Sequence, residues 1–163
     1  MEISRDVLAA IGEVVVAATK LEFALARVVR TRWGWSDRDE VAMIARSGCV
    51  RDQASQLTQS DSDWLEFRQL HRDASAVLED RHVLAHSVVL NIGEDDEFEP
   101  PKIELWHPKS GTTAAMPPAH ALEEHAFDIR RCFRAAVKLI PEAAKRLEEY
   151  GASAAPKPPK PLP

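Results

Sequence analysis

Apolar residues recur along this chain at alternating steps of four and three in several long stretches, and the pattern predicts four helical segments. The first runs from residue 3 to about residue 30, with Val7, Ile11, Val14, Ala18, Leu21, Leu25 and Val28 on one seam. At about 1.5 Å per residue it forms a rod roughly 40 Å long. Gly34 supplies the left-handed conformation that ends it. Trp33 and Trp35 beside it are expected to plug the end of a bundle, the alternative being a platform for stacked bases. Ser36 or Asp37 caps a second helix that continues to about Gln59 on Val41, Ile44, Val50, Ala54 and Leu57, with Gly48 as the point where it can break in two. A third helix begins near Asp63 and carries Phe67, Leu70, Ala74, Val77, Arg81 and Leu84 to a stop around His86 or Ser87. The fourth begins near Ala119 with Leu122, Ala126, Ile129, Phe133, Ala136, Ile140 and Ala143, and Pro141 is expected to kink or interrupt it.

Between the third and fourth helices the period changes. Val88-Val89-Leu90 and the alternation of Lys102-Ile103-Glu104-Leu105-Trp106 read as strands. The simplest arrangement is a β-hairpin of residues 87–92 against 102–107, followed by a loop over 108–118. A two-stranded hairpin is marginal alone and must rest on the helices. The expected fold is therefore all-α, an up-and-down four-helix bundle with a small hairpin inserted between helices three and four.

Composition changes this picture little. The 163 residues fit one domain, taken as 1–150, followed by an Ala-, Pro- and Lys-rich tail over 151–163 that is expected to be disordered. Hydrophobic residues make up 45% and charged residues 29%, as in a globular protein. The net charge of −5 means the whole chain does not attract nucleic acid, so any such contact must be a local basic patch. Arg130, Arg134 and Lys138, with Arg131 adjacent, form an i, i+4 ridge that either holds phosphates or is a solvated helix face. The two cysteines, Cys49 and Cys132, show no disulfide or metal spacing and read as reduced thiols. Glu2, Arg5, Asp6 and Glu13 interrupt the apolar positions of the first segment, and no run is long enough to span a bilayer. A cytoplasmic location without a membrane partner is expected.

The candidate chemistry lies in Asp80-Arg81-His82-Val83-Leu84-Ala85-His86-Ser87. Arg81 occupies a seam position, where an unpaired cation is costly. His82 and His86 are four apart, a spacing used by zinc proteases, but those place a glutamate directly after the first histidine and Val83 stands there. No metal or other cofactor is expected. Arg81 with His86 suits phosphate chemistry without one. An imidazole exchanges a proton near neutral pH, and a guanidinium forks onto phosphoryl oxygens. On a straight helix the two positions are about 7.5 Å apart along the axis and about 140° apart around it, so two copies packed through this helix would close a site more readily than one. Glu22, on the flank of the first helix, is either a carboxylate that orients a neighbour or one that reaches solvent.

Arg81-His82-Val83-Leu84-Ala85-His86, late in a long helix of a mostly helical chain, resembles the signature of the HEPN superfamily: arginine, four to six residues, histidine, with a polar residue straight after the arginine. The resemblance covers most of residues 3–149, although the signature itself is six residues. It implies a helical bundle, Arg81 and His86 as catalytic residues, His82 in support, and a homodimer through the motif helices. Many HEPN proteins are metal-independent endoribonucleases, often toxins or defence components paired with an antitoxin. Others are non-catalytic interaction or nucleotide-binding modules. The Leu21-Glu22 pair also looks like a recurring feature of such domains. The hairpin and the acidic net charge depart from a minimal member.

Overall fold

The computed structural model describes residues 3–46, 48–86, 88–92, 102–107, 111–152 and 155–160, and for 80–86, 88–92, 102–107, 112 and 113 it describes the backbone alone. The chain is mostly helical. In order the elements are α1 (Arg5–Trp33), α2 (Asp37–Ile44), α3 (Cys49–Ser60), α4 (Leu65–His86), β1 (Val88–Ile92), β2 (Lys102–His107), β3 (Thr112–Ala115) and α5 (Ala119–Tyr150).

Each helix boundary has a local cause. The Ser4 hydroxyl accepts from the Val7 amide at the start of α1, and Gly34 ends the helix at φ 68° while its amide donates to the carbonyls of Arg30 and Thr31. Ser36 and Asp39 form a reciprocal capping box at the start of α2. The expected second helix is two helices, because Gly48 adopts φ 78° and turns the chain between α2 and α3. α5 runs unbroken through Pro141. Pro141 is exposed, as is Val137 one turn earlier, so the carbonyl that loses its intrahelical donor lies on the wet side of the helix.

The extra turn at Gly48 sets the topology. Glu13 early in α1 pairs with Arg130 of α5, and Arg32 at the other end of α1 donates to the carbonyl of Gly151 just past α5. α1 and α5 therefore run parallel and share the largest interface in the molecule. Asp63 ahead of α4 meets Arg146 late in α5, while Asp73 lies close enough to Cys132 to act on its thiol, so α4 is antiparallel to α5. Arg51 and Glu79 pair across α3 and α4, which are antiparallel around the 61–64 turn. Five alternating directions bring the first and last helices into the same sense, where four would have opposed them.

The core is the seam of these helices. Val14, Leu21, Leu25, Leu57, Phe67, Leu122 and Ile129 are buried, and Phe133 packs half-buried against them. Trp33 is buried and meets half-buried Trp35 with ring centroids 4.7 Å apart, so this aromatic pair closes the end of the bundle. The strands form one antiparallel sheet in the order β1-β2-β3. Val88 faces Trp106 and Ile92 faces Lys102 in register, and His107 faces Thr112 across the second pair. β3 occupies the stretch expected to be a loop. It is four residues of Thr and Ala, too short and too weakly alternating to announce itself, and it forms by pairing its backbone with the β2 edge. Beyond α5, where disorder was expected, Ala155 packs against the core and Arg46 donates to the carbonyl of Lys160 at 2.6 Å. A proline-rich chain offers few donors, but its carbonyls remain strong acceptors for the arginines of the bundle.

Gly34 carries two constraints at once: a positive φ, and a position where an added Cβ would come within 3.3 Å of Leu147. Gly34→Ala is expected to lower unfolding free energy by about 1–2 kcal/mol, read from urea denaturation. Gly34→Asn should lose less, since asparagine tolerates the left-handed region better.

Candidate functional site

The backbone of Arg81, His82 and His86 forms the last two turns of α4; their side chains lie outside the described residues. The buried line of α4 runs through Phe67, Leu70, Ala74 and Leu78. Arg81 is three positions past Leu78 and seven past Ala74, so it continues that line at helical period. The antiparallel register with α5, carried forward from Asp73 and Cys132, brings the Arg81 position level with about Glu124 and the His86 position level with about Ala119. The first turns of α5 there carry His120 and half-buried His125. Glu22 is half-buried on α1.

The basic ridge of α5 stands apart from this end. Arg130 is about 9 Å, and Lys138 about 21 Å, further along the helix axis than Glu124. Two of its four cations pair with acids. Arg130 pairs with Glu13 at 3.2 Å, and Arg131 pairs with Asp128 at 3.4 Å. Arg134 lies 5.9 Å from the ring centre of Phe127. Lys138 lines a groove between α4 and α5 together with the acids Glu66 and Asp73. Two of its cations thus meet acids in the structure, in exposed pairs of the kind that contribute little to stability.

The polar site that sequence reasoning did not find is at the opposite end of α4. Arg32 is buried and forks onto Asp61, with Nε–Oδ2 2.5 Å and Nη2–Oδ1 2.8 Å, while Nη1 donates to the carbonyl of Gly151 at 3.0 Å. Arg146 approaches Asp61 at 3.9 Å and Asp63 at 3.4 Å, and stacks 5.1 Å from the ring centre of Trp64. A signal was present. The seam Leu21, Leu25, Val28 continues by one more step to Arg32, and an arginine on a seam needs a buried acid. The cluster Ser60-Asp61-Ser62-Asp63 supplied it, although it read only as a turn.

Titration differs from the ordinary at three described side chains near α4 and α5. Burial lowers the pKa of His71 below its ordinary value. Burial raises the thiols of Cys132 and Cys49, with Asp73 adding to the first and Asp52 to the second. Neither thiol is an activated nucleophile. Among the described residues no group of three His, Cys, Asp or Glu is placed to hold a metal ion, and no helix is long and apolar enough to cross a membrane.

Two expectations follow. Asp61→Asn should cost about 3–5 kcal/mol in chemical denaturation, because it leaves Arg32 buried without its counter-charge. The double change Arg32→Met with Asp61→Leu should recover most of that loss. For His71 the unfolded chain takes up a proton at about 6.5, before the folded one does. Its contribution is thus complete above that pH and is lost as pH falls from there through the lower folded value. His71→Gln should flatten the decline in stability measured between about pH 7.5 and 5.5. Comparison of the chain with protein-family models, with curated proteins and with solved structures gives no match.

Proposed function

We propose that this chain is a HEPN-like bundle that cleaves RNA without a metal, using Arg81 and His86. The observation that carries the reading is the placement of the Arg-x4-His stretch on the final turns of α4, along the continuation of its buried line. In this reading the RNA 2′-hydroxyl attacks its own phosphodiester, forming a new P–O bond as the bond to the 5′-oxygen breaks. His86 accepts the hydroxyl proton or delivers one to the leaving oxygen. Arg81 holds the phosphoryl oxygens as charge gathers on them. His82 supports the pair, and Glu22 on α1 orients a neighbour. Two chains meet through their α4 helices, so that each supplies groups to a shared cleft, and an antitoxin protein restrains the activity.

A second reading has its own support. The one seam arginine whose side chain is described, Arg32, is a structural partner of Asp61, and Arg130 and Arg131 of the α5 ridge also meet acids. On that precedent Arg81 also meets an acid, and the protein is a non-catalytic interaction or nucleotide-binding module.

The purified chain incubated with RNA in EDTA decides between them. Cleavage should leave 2′,3′-cyclic phosphate ends and spare DNA, which lacks the attacking hydroxyl. His86→Ala, folded by circular dichroism, should lose on the order of 10²–10⁴ in rate. Arg81→Lys should not restore full activity, because an ammonium lacks the fork. Light scattering should show a dimer at roughly tens of micromolar. A parent chain that never cuts RNA, or a His86→Ala chain that cuts as fast as the parent, leaves the interaction module in place.

A further inference from the structure

α1 and α5 leave an open groove of about 440 Å³ between them, and its described walls are these two helices. Phe23, Phe133, Val137 and Ile140 make it apolar, and Phe23 and Val137 remain 48% and 43% exposed. The apolar surface extends along α1 through Val16 and Leu8, both more than half exposed. Leu8, Val16 and Phe23 are eight and seven residues apart, which keeps them on one face over about 22 Å, or four turns. Large apolar side chains repeated in line on a surface mark a contact rather than chance exposure.

The charged side chains that line the groove itself, Lys20 and Arg27, are of one sign; Glu13, further along the stripe, is held by Arg130. Lys20 and Arg27 line the groove three residues before and four after Phe23, and among the described residues no carboxylate lines it. Arg27 keeps 54% of its side chain exposed although it pairs with Glu40, and Glu40 is itself buried outside the groove. The chain as a whole is acidic at −5, so a cationic rim around an apolar slot is a local feature. A second copy seated on the same face would set Lys20 and Arg27 against their own counterparts.

We infer that this groove binds an amphipathic helix of another protein, with an apolar stripe between Phe23 and Val137 and with acidic residues flanking it to meet Lys20 and Arg27. Two helix ridges with a slot between them receive a third helix through anchors at i, i+3 or i+4, and i+7. The acids fix its placement and speed its arrival. The inference concerns the α1–α5 face and does not depend on Arg81 or His86.

The test is selection of a phage-displayed library of helical peptides against the full chain, followed by fluorescence anisotropy with the selected peptides. Enriched sequences should carry apolar residues at those spacings and Glu or Asp beside them. Phe23→Ser, at an exposed position that circular dichroism should report as folded, should weaken binding at least tenfold. Lys20→Glu should weaken the acidic peptides and improve versions with Lys in place of Glu. Binding should fall on raising salt to about 0.5 M. The inference is overturned if the library yields no binder, if the binders are basic or uncharged, or if they hold Phe23→Ser as tightly as the parent. It is overturned equally if light scattering shows a dimer that Phe23→Ser abolishes, or if phosphatidylserine vesicles, and no peptide, bind in a Lys20-dependent way.

Discussion

A guanidinium buried at the last turn of α1 is joined to a carboxylate 29 residues later and to a carbonyl 119 residues later. Through Arg32, the end of α1, the α3–α4 turn and the exit of α5 share one anchor. The attraction in such a pair is set against the cost of taking both ions out of water, so its net contribution to stability is modest. Its effect is on alternatives. Any packing that separates Arg32 from Asp61 strands a charge in the interior, at a cost of several kcal/mol. Arg146, held between Asp61, Asp63 and the Trp64 ring, makes the same demand from the α5 side. The apolar seams permit several ways of stacking five helices; the buried ions select among them.

α4 and the α1–α5 groove lie on different flanks of α5. α4 packs on the flank of α5 that carries Arg131, Cys132 and Ala135, whereas the groove opens on the flank that carries Phe133 and Val137. Basic residues alone do not reveal which face meets what. Arg130 and Arg131 look like part of a phosphate track in the sequence, yet each has an acid within 3.4 Å, and the acid of Arg130 comes from another helix.

The helices were legible in the sequence because each seam repeats for several turns with few substitutions. Gly34, Ser36 and Gly48 mark real boundaries for the physical reasons expected of them. The direction of the chain after Gly48 was not legible. Apolar spacing tells which face of a helix is buried, but not whether a glycine within it bends the rod or reverses it. β3 escaped notice because four small residues owe their conformation to a neighbouring strand. Arg32 with Asp61 escaped because the partner is local to nothing in the sequence. The arginine could be flagged as needing an acid, but which of the 26 acids it meets is decided by tertiary packing. The same limit applies to Arg81: its position on the line of Leu78 is readable, and its partner is not.

Because α1 and α5 point the same way, their peptide dipoles add instead of cancelling. Side by side over most of their lengths, the two helices gather partial negative charge where both chains of carbonyls end, at Trp33 and Tyr150. Arg30 and Arg32 sit in the last turn of α1, and Arg146 sits one turn before the end of α5. The arginines at that pole, in a chain of net negative charge, meet this field as well as their own acids, and they do so because the number of reversals between the five helices is even: an odd number would have set the two rods against each other.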